Sequence, residues 1–178
     1  EQSSEWALGL VEWLAQARPN RVVGLGLDGN EANLGPTSHK FVKAYERAAE
    51  IGLGRTAHCG ESSGPEGVWE GLNYLNLDRV DHGVRAIEDA ELVRHLVEKQ
   101  MPLTVCPTSN VITGLHKSIA DGPIDALYRA GVPVTVNSDD PRSMKVTVND
   151  DLMNRATVFG WNRGDLAKVT RNAISAAL

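Results

Sequence analysis

Stretches in which apolar residues recur every three or four positions alternate along this chain with short β-branched runs. That alternation predicts helices crossing over between parallel strands. Trp6, Leu10, Trp13 and Leu14 fall at i, i+4, i+7 and i+8, which predicts a first helix with one apolar stripe, ended by Pro19. A strand follows at about residues 21–27. A second helix is expected from an N-cap at Ser38 through Phe41, Tyr45 and Ala49 to a C-terminal Gly52, delivering the chain to a strand that ends at His58. Pro65 opens a third helix, with Val68, Leu72 and Leu75 facing inward. Asp89 caps a fourth, carrying Leu92, Val93, Leu96 and Val97, before a strand at 103–106. Asp121 and Pro123 start a fifth, whose Ile124, Leu127 and Tyr128 precede Gly131 and a strand ending at Asp139. Two more helices, roughly 148–160 and 164–177, close the chain.

The pattern thus predicts an α/β architecture with five strands in one domain over residues 1–178. An open doubly wound sheet would expect a phosphate-binding glycine turn after a strand. Gly24-Leu25-Gly26-Leu27-Asp28-Gly29 matches only in letters, because its first glycines fall inside the strand. The other arrangement is part of a (β/α)8 barrel, whose site draws single residues from the ends of several strands. The chain displays that distribution: chemistry-bearing residues follow each run, at His58, His82, Cys106 and Asp139.

Composition narrows the class. With 178 residues and 42% hydrophobic content the chain can bury a core. A formal charge of −5 offers no basic footprint, which argues against a nucleic-acid polymer as partner. Only Cys59 and Cys106 are present, too few for a disulfide framework and in keeping with a reducing compartment. No apolar run approaches the roughly 18 residues of a membrane span. The expected location is cytoplasmic.

The polar residues at the strand ends carry the chemistry. His58 and Glu61 are two residues apart beyond a β-prone run, His82 precedes Gly83, and Asp139-Asp140-Pro141 ends an apolar run. Taken singly, these are also a buried structural histidine, a solvated loop glutamate and an aspartate turn. Taken together, two imidazoles, two aspartates and a glutamate suit a divalent metal with an acid and a base beside it. Cys106 as a thiolate nucleophile lacks a cationic or basic neighbour in sequence, whereas a small buried cysteine is common. His39, His95 and His116 are unpaired and fall on loop or helix positions, where exposed histidines are ordinary.

The joint pattern resembles the adenosine and adenine deaminase family of metal-dependent amidohydrolases. The resemblance rests on Gly26-Leu27-Asp28-Gly29-Asn30-Glu31, Thr56-Ala57-His58-Cys59-Gly60-Glu61, Arg79-Val80-Asp81-His82-Gly83-Val84, Cys106-Pro107-Thr108-Ser109-Asn110 and Asn137-Ser138-Asp139-Asp140-Pro141. The familiar second motif has alanine where Cys59 stands. Family members also carry a His-x-His pair on their first barrel strand, and this chain has none. The resemblance therefore implies the carboxyl-terminal part of a (β/α)8 barrel, about strands four to eight, without the amino-terminal strands. Sheet edges left open in such a partial barrel favour oligomerisation.

The resemblance also implies roles: His58 and Asp139 as zinc ligands, Glu61 as the acid that protonates a purine ring nitrogen, and His82 as the residue orienting the attacking water. Asp140 and the backbone amide of Gly29 correspond to purine contacts. The activity implied for a complete parent enzyme is hydrolytic deamination of adenosine to inosine, favoured over adenine by Thr108 and Gly29, while Ser138 leans toward the base. The isolated chain, with an incomplete ligand set, is expected to be nearly inactive. A purine- or protein-binding module is the non-enzymatic alternative. Zinc deaminases that act on nucleic acids have His-x-Glu and Pro-Cys-x-x-Cys, which this chain lacks.

Overall fold

A computed structural model describes residues 3–29, 31 and 38–178. Five strands form one sheet: β1 Gly24–Leu27, β2 Gly54–Cys59, β3 Arg79–His82, β4 Leu103–Val105 and β5 Val134–Val136. Their spatial order is β1-β2-β3-β4-β5, and every neighbouring pair is parallel. An open doubly wound sheet reverses its strand order at a switch point, whereas here each strand lies beside the one before it. The sheet is a run of consecutive barrel strands, so all five carboxyl ends lie on one side.

Helices α1 (Ser4–Ala17), α2 (Ser38–Glu50), α3 (Pro65–Glu70), α4 (Ala90–Glu98), α5 (Pro107–Ile112), α6 (Ile124–Ala130), α7 (Pro141–Met144), α8 (Val148–Phe159) and α9 (Arg163–Ser175) connect and follow the strands. Local chemistry sets several of their ends. The Asp89 carboxylate caps α4 by accepting from the Glu91 and Leu92 amides, and Pro65 occupies the first turn of α3. Thr147 with Asp150, and Asn162 with Asp165, form capping boxes at α8 and α9. The core gathers Val80, Leu92, Leu96, Leu103, Leu127 and Val134, all without solvent exposure. All three residues of β5 are buried, as expected for a parallel strand covered on both faces.

Several expectations change. The buried face of α1 holds Val11 and Leu14, while Trp6 and Trp13 are 50% and 58% exposed. The helix rests on Ala44 and Ala48 of α2, a small-residue surface that Val11 meets and that leaves the indoles outside. Ala44 and Ala48, not Ala49, are the inward alanines of α2. Ser38 lies within α2 itself. β1 begins at Gly24, leaving Val22 and Val23 exposed. Gly24 of this strand leaves room for Leu178: a Cβ there would stand 2.8 Å from Leu178 Cδ1. The short helices α5 and α7 are additional, each starting at a proline directly after a strand-end motif. Asn30 of the first motif lies outside the described residues.

Candidate active site

The carboxyl ends of β2, β3 and β5 and the start of α5 converge. His58 stands near the end of β2, and the His82 ring, at the end of β3, lies 4.4 Å from it between centroids. In register His82 pairs with Cys59 and not with His58, so simple alternation would turn it to the other face of the sheet. Its φ of 62° breaks that alternation and re-aims the imidazole. Asp139, after β5, is likewise left-handed at φ 58°. Non-glycine residues held in this region cost energy and gather at functional sites.

Glu61 Oε1 lies 3.3 Å from His82 Nδ1 and accepts a 2.9 Å hydrogen bond from Asn110 Nδ2. Asp139 Oδ2 accepts a 2.7 Å bond from Ser109 Oγ. His82 Nδ1 is buried and, off the line of Glu61, makes no hydrogen bond among the described residues. Burial, reinforced by the nearby His58, lowers the His82 pKa against the opposing charges of Glu61, Asp139 and Asp81. Burial thus favours the neutral imidazole.

Five of the six residues singled out from sequence lie around this centre or its margin. His58, Glu61 and His82 form one group whose ligand atoms all lie within 4.8 Å of one another; His82, Cys106 and Asp139 form a second. The expected ligands His58 and Asp139 thus fall in separate groups that share His82. Gly29, at φ 147°, borders the site beside Asp28, whose Oδ1 is 3.5 Å from His58 Nδ1. Asp140 is the exception in its engagement: it caps α7, accepting from the Ser143 amide and, at 2.6 Å, from the Ser143 hydroxyl. Those bonds hold its pKa down. A cleft of about 880 Å³ runs along the β1 flank, lined by Trp6, Leu25, Phe41 and Tyr45 and reaching Gly29 and His58. It does not extend to Glu61, His82 or Asp139.

A divalent cation fits the donors. Two imidazoles, two carboxylates and one thiol are gathered, and the buried His82 Nδ1 makes no hydrogen bond among the described residues. Cys106 is not set up as a nucleophile: burial raises its thiol pKa, and Asp139 and Glu61 raise it further. Sequence reasoning assigned no roles to Glu31, Ser109 and Asn110, although all three stand in quoted motifs. Each hydrogen-bonds a site residue or its backbone.

The sequence profile of the adenosine deaminase family matches residues 1–178. The chain belongs to this family. It is 38% identical over 160 residues to an aminodeoxyfutalosine deaminase of Streptomyces coelicolor, covering 90% of this chain and 41% of that protein. The structure of an adenine deaminase from Arthrobacter aurescens superposes with a TM-score of 0.92 at 36% identity, covering 100% of this chain and 54% of the other. An amidohydrolase from Burkholderia ambifaria, solved with bound zinc, superposes at 0.89 with 30% identity, covering 99% and 49%. The chain therefore spans about half the length of the relatives it matches, and its sheet is part of a (β/α)8 barrel. No described helix is long and apolar enough to cross a membrane.

Proposed function

We propose that a full-length protein containing this segment hydrolytically deaminates a 6-aminopurine, with adenine as the favoured substrate. The convergence of Glu61, His82, His58 and Asp139 on the carboxyl side of a parallel sheet carries this reading. His58 and Asp139, on either side of His82, are the residues suited to hold a divalent cation, which when bound would supply Lewis-acid activation of water.

The chain's own residues perform the rest. Glu61 delivers a proton to the purine ring nitrogen beside the carbon under attack, so that adding water there does not leave a bare ring anion. His82, kept neutral, orients the water and accepts its proton. The proton held on His82 then passes to the amino group, the carbon–nitrogen bond breaks to release ammonia, and the added hydroxyl returns a proton to Glu61 as the ring becomes the oxo product. Asn110 fixes the Glu61 carboxyl from one side. The Gly29 amide borders the cleft that ends at His58, where it contacts the purine edge. Asp140 reaches the other ring edge by exchanging its bonds to Ser143.

The expectation of adenosine rested partly on Thr108. Its hydroxyl instead donates to Asp151 at 2.6 Å and is committed to the scaffold. The named relatives include an adenine deaminase, so the free base is the better supported substrate and adenosine the second reading. The test is turnover of adenine, adenosine and aminodeoxyfutalosine by the full-length protein, with Glu61→Gln alongside. Glu61→Gln should retain its metal and lose about 10²–10⁴-fold in kcat. Near-wild-type turnover would remove Glu61 from the acid role, and no ammonia release from any of the three would end the deaminase reading.

A further inference from the structure

The Glu31 carboxylate, just past β1, receives an unusual set of hydrogen bonds from one short loop. Its Oε1 accepts from the Gly60 amide at 2.9 Å and from the Ser63 hydroxyl at 2.5 Å. Its Oε2 accepts from the amides of Glu61 at 2.8 Å, Ser62 at 3.1 Å and Ser63 at 3.4 Å. Five donors from four consecutive residues thus point at one anion. Gly60, at φ 67°, turns the chain so that successive amides face the same point, as in a backbone nest that binds an anion. The anion here is a side chain of the same protein, delivered from the neighbouring strand.

That loop carries the side chain proposed as the acid. Its backbone is held by Glu31, and its carboxyl meets Asn110 and His82. Burial alone would raise the Glu31 pKa, but the Ser63 hydroxyl and the amides of Glu61, Gly60 and Ser62 outweigh it and keep the carboxylate ionised. The side chain fits closely: a Cβ on Gly67 would approach Glu31 Oε1 to 3.1 Å.

We propose that Glu31 is a positioning residue for catalysis, an internal anion that gathers the Gly60–Ser63 amides and so fixes where Glu61 presents its proton. This rests on the reading of Glu61 as the acid. A neutral amide at position 31 offers one acceptor oxygen and one NH2 group, and the NH2 faces amide donors it cannot pair with. The loop must then rearrange. A displacement of about 1 Å at a catalytic group costs on the order of 10²-fold in rate.

The experiment compares wild type, Glu31→Gln, Glu31→Asp and Glu61→Gln in the full-length protein. It reads kcat and KM for the accepted aminopurine, metal content, and hydrogen exchange of the Gly60–Ser63 amides. Glu31→Gln should lower kcat by about 10²-fold while KM changes by less than about threefold. Metal content should stay unchanged and the four amides should lose protection. Glu31→Asp, which keeps the charge on a shorter arm, should recover at least about tenfold of the lost kcat.

Glu31→Gln with wild-type kcat, beside an impaired Glu61→Gln, overturns the positioning role alone. Wild-type kcat in Glu61→Gln removes the acid reading first. A drop in Glu31→Gln that Glu31→Asp does not relieve, with the loop amides still protected, also overturns the proposal. If Glu31→Gln does not fold, exchange in the wild type decides: amides that exchange as fast as in an unstructured peptide refute the clamp.

Discussion

Arg155 and Asp151, four residues apart on α8, are both completely inaccessible to solvent, and their charges meet at 3.5 Å. Asp151 Oδ1 also accepts the Thr108 hydroxyl, but Asp151 Oδ2 and the Arg155 Nε and Nη1 atoms have no hydrogen-bond partner among the described residues. At 3.5 Å and an effective dielectric near 20, the pair attracts by about 5 kcal/mol. Desolvation costs several kcal/mol for each ion, so the pair as a whole contributes close to nothing. Burial accordingly raises the Asp151 pKa, against the Thr108 hydroxyl and the Arg155 charge, and lowers that of Arg155.

Removing one partner is a different matter, because it strands the other charge. Arg155→Leu should destabilise the protein by about 3–5 kcal/mol at pH 7.5 in urea denaturation. Adding Asp151→Asn, which keeps an acceptor for Thr108, should restore at least about 2 kcal/mol of that loss. The pH dependence has a fixed sign. A carboxyl whose folded pKa is raised contributes stability that is fully present below its unfolded value and lost as pH rises through the folded one. The deficit of Arg155→Leu should therefore shrink as the pH is lowered from 7.5 toward about 4, while the double variant shows no such recovery. A single variant within about 1 kcal/mol of wild type, or a double variant as unstable as the summed singles, would refute this account of the pair.

Gly60→Ala should lower the urea midpoint by an amount equivalent to about 2–4 kcal/mol, since φ is 67° and the new Cβ would overlap Val68 Cγ2. An unchanged midpoint would mean that the turn relaxes without strain. Ser109→Ala removes the donor to Asp139 and should weaken metal retention by about 10–100-fold in chelator competition. Equal affinities would release Ser109 from supporting a ligand.

What the sequence revealed depended on how local each signal was. Caps and prolines act within one turn, and Asp89, Pro65 and Gly131 bounded their helices as expected. The strand-end motifs were legible because parallel strands expose their carboxyl ends together. The orientation of α1 was not legible, since Trp6 and Leu14 are equally apolar on a helical wheel. The surface of Ala44 and Ala48 on another helix, with Leu25, Ile51 and Leu53 around it, decides which side is buried. The roles of Glu31, Ser109 and Asn110 were hidden for the same reason. Their partners lie 29 to 49 positions away, and no periodicity reports a hydrogen bond between strand ends.

The bonds of Ser109 and Asn110 have a common hub. β4 lies between β3 and β5, so α5, which follows it, starts between the two halves of the site. From adjacent positions on α5, Ser109 holds the carboxylate after β5 and Asn110 holds the carboxyl after β2, and both residues are 1% exposed. The preceding residue, Thr108, ties the same helix to Asp151 on α8. A rotation of α5 would therefore move Asp139 and Glu61, the proposed metal ligand and proton donor, together. The distance between them is set by one rigid turn with Pro107 at its start, and not by two independent loops. On this geometry the fully buried Asp151 on α8 is tied, through the Thr108 hydroxyl it accepts, to the helix that holds Glu61 and Asp139. It also follows that, in an Arg155→Leu background where no buried cation is stranded, Asp151→Leu, which deletes the acceptor for Thr108, should lower both metal retention and kcat, whereas Asp151→Asn should spare both.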